Sequence, residues 1–207
     1  MDKKIDAVIF DLGGVLIDFD HTIAAKRISK FSDKTAEEIF TLFFDSALVG
    51  NFEEGKIGPG DFFKKMKKMI NLRLDYAGFL PIWNGIFFQT KGNKEVLDLA
   101  RRLKDQYEIC VLSNVNTLHF DYIRDHFEIF GIFPQVIASC ELGFRKPHPF
   151  IYRRALEKLN IRDAGRVFYT DDRPDLIEAA SGLGINARVF KNARQLKEDL
   201  FSLGVIT

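Results

Sequence analysis

Cysteine is nearly absent from this 207-residue sequence, which contains only two. Cys110 lies in the apolar run Ile109–Leu112, and Cys140 lies near the end of a predicted strand. We expect both to be small buried side chains, because their spacing matches no metal-binding motif. Met1–Lys4 lacks the apolar core of a signal peptide, and no apolar run approaches the ~20 residues of a membrane span. The sequence therefore predicts a soluble cytoplasmic protein that does not enter a membrane.

An excess of charge is also lacking. Thirty Lys and Arg residues against 29 Asp and Glu residues give a formal net charge of +1. This balance argues against a nucleic-acid partner, which would need a basic surface. The lysines of Lys64–Lys68 alternate with apolar residues at helical spacing, so we interpret them as the solvated face of an amphipathic helix. The apolar fraction of 46% is sufficient for a buried core.

What is present is an alternation of short apolar runs with amphipathic segments. Short apolar runs bounded by turn residues predict buried strands, and apolar residues spaced by three and four predict helices. The predicted strands are Ile5–Phe10, Tyr107–Leu112, Val136–Ser139, Arg166–Tyr169 and Ala187–Phe190. Helices are predicted after each of these strands from the second onward. This order predicts an α/β fold with a doubly wound, Rossmann-like parallel sheet and helices on both of its faces.

The segment between the first and second strands has a different pattern, with no strand signal from about residue 20 to residue 90. Its predicted features are helices at His21–Phe31, Thr35–Asp45 and Asp75–Trp83, a loop at Asn51–Gly60, and a further helix with Asp61 as N-cap. An all-helical insertion beside the first strand could cover that strand's end as a lid. We therefore expect a catalytic core formed by residues 1–18 and 91–207, and a helical cap formed by residues 19–90.

Polar residues follow four of the predicted strands, directly or in the loop that comes after the strand. They are Asp11, the pair Ser113 and Asn114, Lys146, and the pair Asp171 and Asp172. Because the carboxyl ends of parallel strands share one edge of a sheet, we expect these side chains to meet there. Gly13 and Gly14 follow Asp11 and would let a ligand approach the backbone.

Each of these groups fits a role in phosphoryl transfer. Carboxylates crowded at one edge repel one another and favour a divalent cation, and all-oxygen ligation favours Mg²⁺. The serine hydroxyl can hold phosphate oxygens, and the lysine can neutralise phosphate charge. A carboxylate at position 11 can attack phosphorus to form an aspartyl-phosphate, which water then hydrolyses. The predicted function is therefore the Mg²⁺-dependent hydrolysis of a small-molecule phosphate ester.

The sequence resembles the haloacid dehalogenase-like hydrolase superfamily, in the branch with a small helical cap, over essentially the whole chain. Asp11–Leu16 is similar to its first motif, Val111–Asn114 to its second, Arg145–Pro147 to its third and Val167–Ala180 to its fourth. The resemblance is strongest to bacterial sugar-phosphate phosphatases of the α-glucose-1-phosphate phosphatase type, which also carry glycine two residues after the nucleophile.

This resemblance implies a role for each motif residue. Asp11 would be the nucleophile, with Ser113 and Lys146 completing the catalytic set. The residues expected at the phosphate are Ser113, Asn114 and Lys146. The groups expected at the Mg²⁺ are Asp11, the carbonyl of Gly13, Asp172 and Asp171. The substrate would be a small phosphorylated metabolite such as a sugar phosphate.

Position 13 departs from the family pattern. Most phosphatases of this family carry an aspartate there, which protonates the leaving group and later activates water, whereas Gly13 offers only its backbone. General acid catalysis contributes about 10²–10⁴-fold, so its absence favours good leaving groups such as anomeric phosphates. Asp18 or Asp20 could substitute if the chain folds back, and water or a substrate hydroxyl is an alternative.

The fourth motif can be aligned in two ways. Counting back from Gly184 at the end of the helix makes Asp172 the direct metal ligand, with Leu176 one helical turn later. Counting from the carboxylates makes Asp171 the ligand and Asp175 its partner. We favour Asp172, because the phase of the helix fixes it, and either choice leaves one carboxylate to support the ligands.

The cap segment is rich in aromatic side chains, most of which are expected to form its own core. They are Phe40, Phe43, Phe44, Phe52, Phe62, Phe63, Phe79, Trp83, Phe87 and Phe88. Candidates to face the substrate are Trp83, Asn51, Glu53 and Glu54. His119 and His126 are interpreted as packing or surface residues.

Two other functions stay open on sequence alone. A dehalogenase would use the same aspartate without a metal, and the acidic pair argues against it. A catalytically weak relative that binds a phosphorylated metabolite or a partner protein would account for Gly13. The sequence does not indicate the oligomeric state.

Overall fold

The computed structural model describes residues 5–44 and 46–206. The predicted helix end at Asp45 and the side chains of Phe43 and Phe44 lie outside the described residues. The strands are β1 (Ala7–Phe10), β2 (Asp18–Phe19), β3 (Phe87–Phe88), β4 (Glu108–Ser113), β5 (Gln135–Ala138), β6 (Val167–Asp171) and β7 (Asn186–Val189). The helices are α1 (His21–Ser29), α2 (Ala36–Phe44), α3 (Ala47–Glu53), α4 (Pro59–Met69), α5 (Tyr76–Asn84), α6 (Lys91–Leu103), α7 (Thr117–His126), α8 (Ser139–Leu142), α9 (Pro149–Lys158), α10 (Pro174–Ser181) and α11 (Ala193–Ser202).

Five strands form one parallel sheet in the order β5-β4-β1-β6-β7, which confirms the predicted fold class. β1 lies at the centre, between β4 and β6. The chain runs outward from β1 through β4 to β5, and then returns to place β6 on the other side of β1. The topology therefore reverses between β1 and β6, and open α/β sheets bind ligands at such a switch point, outside the carboxyl ends of the strands.

Helices cover both faces of the sheet, which explains why every residue of β1 is buried. Successive side chains of a strand point to opposite faces. Val8 and Phe10 enter one core with α6, α7 and α11, whereas Ala7 and Ile9 enter the other core with α9 and α10. Burial of a side chain of the size of Val or Phe stabilises a fold by about 1.5–3 kcal/mol, so β1 anchors the strand end that carries Asp11.

Helices α1–α5, which lie between β1 and β4 in the sequence, form a separate hydrophobic core. The rings of Phe52 and Phe62 stack with centroids 4.2 Å apart, and those of Phe79 and Trp83 stack at 5.5 Å. All four side chains are buried, whereas Phe88 is 43% exposed. The helical segment, residues 19–90, therefore has an aromatic core of its own, distinct from the two cores of the sheet.

A two-stranded ribbon connects the helical segment to the sheet, and the prediction of no strand between residues 20 and 90 is wrong at its end. β2 and β3 are antiparallel, with Asp18 opposite Phe88 and Phe19 opposite Phe87. Strands of two residues are too short to show an alternating pattern, which is why the sequence does not reveal them. The predicted domain boundary between residues 18 and 19 falls inside this ribbon.

Other local predictions in the helical segment are corrected by its turns. Asp61 is not an N-cap, because α4 already begins at Pro59 with Gly58 as its N-cap. Proline fits the first helical position, and Asp61 then lies in the first turn, where a carboxylate is favourable. The predicted loop at Asn51–Gly60 is helical at its start, since α3 extends to Glu53.

The two thiols differ in exposure. Cys110 is buried in the sheet as predicted, whereas Cys140 is only partly buried. Burial raises the pKa of Cys110 to about 12 and that of Cys140 to about 11, so both thiols stay protonated at neutral pH. In the described parts of the chain, no helix combines the length and apolar character needed to cross a bilayer.

Candidate active site

Asp11 stands at the carboxyl end of β1, at the switch point of the sheet, and is 8% exposed. Its Oδ1 accepts hydrogen bonds from the backbone N–H of Leu12 at 2.7 Å and from Nζ of Lys146 at 2.8 Å. Burial raises the pKa of Asp11 to about 7, although Lys146 opposes part of the rise. Because nearby positive charge favours the ionised carboxyl group, a cation at this site would keep Asp11 in its nucleophilic form.

Lys146 is buried between two carboxylates. Its Nζ lies 2.6 Å from Oδ2 of Asp171 and 2.8 Å from Oδ1 of Asp11. It also lies 3.0 Å from the carbonyl oxygen of Leu112 and 3.1 Å from the hydroxyl of Tyr169. Burial lowers the pKa of Lys146, but the two carboxylates outweigh burial and the net shift is upward. The lysine is therefore a fixed positive charge next to the candidate nucleophile.

Asn114 fixes the loop that carries Lys146. Its Nδ2 donates to the carbonyl oxygen of Lys146 at 2.9 Å, and its Oδ1 accepts from the backbone N–H of Lys146 at 2.7 Å. This two-point contact joins the end of β4 to the loop before α9. The side-chain amide of Asn114 is thus engaged in positioning Lys146, and its predicted contact with phosphate stays a prediction. Ser113, the residue before it, is 4% exposed.

The two adjacent carboxylates at the end of β6 have different surroundings. Asp171 is fully buried, and its Oδ2 accepts from Lys146 and from the hydroxyl of Tyr169. Its Oδ1 accepts from the backbone N–H of Arg173 at 2.9 Å. Asp172 is the more exposed of the two, and partial desolvation of its carboxylate together with repulsion from Asp171 raises its pKa. Asp171 is therefore saturated with donors, whereas Asp172 faces open space.

Oxygen atoms of Asp11, Asp171 and Asp172 lie within 4.8 Å of one another, a spacing that suits a shared cation. Gly14 makes this approach possible. Its φ is +72°, and a Cβ there would lie 2.6 Å from Oδ2 of Asp172. Only glycine combines that backbone conformation with so close a contact. Asp175, the partner in the other alignment, instead pairs with Arg173 at 2.7 Å.

Two adjoining cavities open at this edge of the sheet. The active-site cavity has a volume of about 370 Å³ and includes Asp11, Ser113, Asn114, Lys146 and Asp172 in its wall. The inner pocket, of about 90 Å³, lies between the sheet edge and the helical segment. Both cavities share Gly13, Phe19, His21, Val49, Glu53, Ser113 and Asn114. The structure thus brings five of the predicted site side chains to one cavity, and Asp171 supports them from behind.

Phe19 takes the place that a side chain at position 13 would need. A Cβ on Gly13 would lie 2.6 Å from Cε1 of the Phe19 ring. The carboxylates suggested as substitutes are not in the described wall of either cavity. Asp20 is the N-cap of α1 and accepts from the backbone N–H of Thr22 at 2.8 Å, and this hydrogen bond lowers its pKa. The hypothesis that Asp18 or Asp20 replaces the missing acid gains no support from the fold.

Trp83 and His119 close the inner pocket. Their rings stack with centroids 5.0 Å apart, and Nε2 of His119 donates to the carbonyl oxygen of Trp83 at 3.2 Å. The amide of Asn116 donates to Nδ1 of His119 at 3.0 Å, so both ring nitrogens have partners only in the neutral form. Burial lowers the pKa of His119 to about 3. His119 is a packing residue, as its sequence position suggests, and Trp83 lines the pocket.

Glu53 connects the helical segment to the loop that carries Lys146. Its Oε2 accepts from Nη1 of Arg145 at 3.2 Å, and its carbonyl oxygen accepts from Oγ of Ser139 at 2.5 Å. Burial raises the pKa of the Glu53 carboxyl group, although Arg145 opposes the shift. Of the four residues proposed to face the substrate, Glu53 and Trp83 line a cavity, whereas Asn51 and Glu54 are absent from the described walls of both.

Sequence reasoning missed Tyr169, Phe19 and His21. Tyr169 had a usable signal, because it lies two residues before Asp171 on the same strand and therefore on the same face. No sequence signal marks Phe19 or His21, since the β2–β3 ribbon is what turns them toward Gly13.

The site places a buried aspartate, a lysine paired with it and a second carboxylate at the switch point of a doubly wound sheet. This is the set of groups expected of a hydrolase that uses a carboxylate nucleophile. Comparison with known proteins agrees with this class. The chain belongs to the haloacid dehalogenase-like hydrolase family, whose model matches residues 5–184. The family predicted from the motifs is therefore confirmed.

Several relatives in this family are phosphatases. The chain is 22% identical over 202 residues to a D-ribitol-5-phosphate phosphatase of Bacteroides thetaiotaomicron, covering 95% of this chain and 97% of the relative. It is 27% identical to a phosphatase of Mycobacterium tuberculosis, covering 98% and 97%. Among solved structures, a haloacid dehalogenase-family enzyme from B. thetaiotaomicron in complex with magnesium and inorganic phosphate superposes with a TM-score of 0.80 at 27% identity, covering 90% of this chain and 94% of that one.

Proposed function

We propose that this protein is a Mg²⁺-dependent phosphatase that hydrolyses a small phosphorylated metabolite through an aspartyl-phosphate on Asp11. The observation that carries the proposal is the pairing of Asp11 with Lys146 at 2.8 Å, beside the Asp172 carboxylate in one cavity. This arrangement supplies a nucleophile, a fixed positive charge and a cation ligand to one cavity. Its phosphatase relatives support the same reaction class.

The donor set fits Mg²⁺, which prefers carboxylate and carbonyl oxygens. We assign Asp11, the carbonyl of Gly13 and Asp172 as the protein ligands. Asp171 is assigned to hold Lys146, because both of its carboxylate oxygens already accept hydrogen bonds. When bound, the ion would neutralise phosphate charge and orient the phosphoryl group for in-line attack.

The chain's own residues then divide the work. Asp11 attacks phosphorus with a carboxylate oxygen. The leaving oxygen departs with the electron pair of the phosphorus–oxygen bond that breaks and takes a proton from water. Lys146 fixes the orientation of Asp11 and offsets the charge that accumulates on the phosphoryl oxygens. Ser113, at the end of β4, is assigned to bind one of those oxygens. Water then attacks the aspartyl-phosphate, which releases inorganic phosphate and restores Asp11.

We further propose that residues 19–90 act as a cap that selects the substrate. The contacts of Glu53 with Arg145 and Ser139 seat this segment over the loop that carries Lys146. Glu53 and Arg145 also line the active-site cavity, where a carboxylate and a guanidinium can bind hydroxyl groups. A sugar or polyol phosphate suits this wall, and one relative acts on D-ribitol 5-phosphate.

The test is a phosphate-release screen with purified protein, Mg²⁺ and a panel of anomeric sugar phosphates, primary sugar phosphates and D-ribitol 5-phosphate. We expect release that chelation with EDTA stops and that Mg²⁺ restores. Anomeric phosphates should give the higher kcat/KM, because Gly13 and Phe19 offer no acid to the leaving oxygen. Stoichiometric binding without turnover across the panel would instead identify a catalytically weak relative.

A further inference from the structure

The step that the fold leaves unassigned is the activation of water. Hydrolysis of the aspartyl-phosphate requires a group that accepts a proton as water attacks phosphorus. Gly13 has no side chain, and the ring of Phe19 fills the space beside it, with Cε1 at 2.6 Å from the position of a Cβ. A protein side chain that serves as this base would therefore lie in another part of the cavity wall.

Most titratable groups in the described wall of the active-site cavity are already paired with another side chain or assigned to the cation. Lys146 is a charged donor bound to Asp11 at 2.8 Å. Glu53 accepts a hydrogen bond from Arg145 at 3.2 Å, on the helical side of the cavity. Asp172 is assigned to the cation. Arginine side chains cannot accept a proton near neutral pH.

His21 is the wall residue that has the right chemistry. It begins α1 directly after the β2–β3 ribbon, and it lines both the active-site cavity with Asp11 and the inner pocket. Its ring packs edge-to-face on Phe19, with centroids 5.0 Å apart. The Phe19 ring thus contacts both the imidazole of His21 and the space that an acidic side chain at position 13 would occupy.

The surroundings of His21 favour a neutral imidazole, which is the form that accepts a proton. Burial lowers its pKa to about 4, and the neighbouring Asp20 opposes this shift only in part. His119 faces it from α7, with ring centroids 6.3 Å apart, and is itself neutral. His119 lines the inner pocket and is absent from the described wall of the active-site cavity, which His21 lines.

We propose that His21 is the general base of dephosphorylation, replacing the carboxylate that the family places at position 13. Water attacks the phosphorus of the Asp11 aspartyl-phosphate, and a ring nitrogen of His21 takes its proton. A new phosphorus–oxygen bond to water forms as the bond to the Asp11 carboxylate breaks, and that electron pair returns to Asp11. The proton then passes to the solvent as phosphate leaves. This inference rests on the proposed phosphatase function.

The experiment uses p-nitrophenyl phosphate, because its leaving group needs no acid and the first step then proceeds without one. In His21→Gln, we expect a burst of one p-nitrophenolate per chain, followed by a steady state about 100-fold slower than in the wild type, in line with the usual contribution of a general base. Acid quenching should trap phosphorylated Asp11 in this variant. His21→Asn should give the same burst, and Asp11→Asn/His21→Gln should give none.

His126→Gln is the control for loss of a histidine, since His126 is exposed on α7 and lies outside the described walls of both cavities. It should behave as the wild type. An unchanged steady-state rate in folded His21→Gln and His21→Asn would overturn the inference, and so would loss of the burst together with turnover. A wild-type protein that releases no phosphate from any ester and never labels Asp11 would instead overturn the proposed function, and this inference with it.

Discussion

The two walls of the active-site cavity differ in kind. The wall from the sheet is built of buried ion pairs, in which Lys146 contacts Asp11 at 2.8 Å and Asp171 at 2.6 Å. The wall from the helical segment combines apolar side chains such as Phe19 and Val49 with His21 and Glu53. In the proposed mechanism the sheet wall supplies the nucleophile and the cation ligand, and the helical wall selects the substrate and, through His21, supplies the base. Changes in the first wall should therefore stop the reaction, and changes in the second, apart from His21, should redirect it.

Lys146→Met is expected to have the largest effect of four tests of this contrast. It leaves Asp11 and Asp171 as neighbouring buried carboxylates without their shared cation, which should destabilise the fold by about 3–5 kcal/mol. Loss of charge stabilisation should also lower kcat by about 10²–10³-fold. Urea unfolding and phosphate release measure the two effects. Lys158→Gln, on the exposed end of α9, is the control, and activity of Lys146→Met within tenfold of wild type would break the contrast.

Asp172→Ala tests the assignment of the cation ligand within the sheet wall. The Mg²⁺ concentration for half-maximal activity should rise by at least about tenfold, because one direct ligand is lost. Asp175→Ala is matched to it, since Asp175 pairs with Arg173 and is the ligand partner in the other alignment. Mg²⁺ titrations of both variants decide between the alignments. A rise for Asp175→Ala without one for Asp172→Ala would reverse the assignment.

Glu53→Gln tests the helical wall. Loss of a charged hydrogen-bond acceptor for substrate hydroxyls costs about 1.5–3 kcal/mol, so KM for a sugar or polyol phosphate should rise by about tenfold or more. The kcat/KM for p-nitrophenyl phosphate, which has no hydroxyls, should stay near that of the wild type. Glu54→Gln is the matched control, because Glu54 pairs with Lys56 at 2.7 Å away from the cavity. Equal losses on both substrates would show that Glu53 supports the chemistry itself.

The change with the smallest expected effect on activity concerns His119, which links stability to pH. Burial lowers the pKa of His119 to about 3 in the folded protein, below the unfolded value of 6.5. The unfolded chain therefore binds more protons between about pH 3 and pH 6.5, and the free energy of unfolding falls as the pH decreases through this window. The slope approaches about 1.4 kcal/mol per pH unit for one histidine. Urea unfolding at several pH values should show a shallower slope in His119→Gln, and an unchanged slope would contradict a neutral, buried His119.

The sheet wall was largely predictable from the sequence, because its residues follow strands at fixed positions. Asp11 and the pair after β6 stand at strand ends, and parallel strands bring such ends together whatever the details of packing. Lys146 lies in a loop, but the family's third motif marks it. The different roles assigned to Asp171 and Asp172 could not be predicted from their spacing. They follow from the hydrogen bonds that Asp171 accepts from Lys146, Tyr169 and the backbone N–H of Arg173.

The helical wall was not predictable in the same way. The β2–β3 ribbon is two residues long on each side, too short for periodicity to reveal, yet it turns Phe19 over Gly13 and places His21 at the cavity. Helix α4 begins at Pro59 and is not capped by Asp61, because proline is favoured at the first helical position. Tertiary contacts, not local propensity, decide which rings of the helical segment line the cavities.

The most direct measurement is the turnover of Asp11→Asn, with Mg²⁺, on the best ester found in the release screen. Asparagine keeps the shape of the side chain and its contact with Lys146, but it is not a nucleophile for phosphorus. We expect a correctly folded protein with no detectable phosphate release and no phosphorylated residue at position 11 after acid quenching. Phosphate release near the wild-type rate would contradict the account, because the reaction would then proceed without the carboxylate on which the whole site is built.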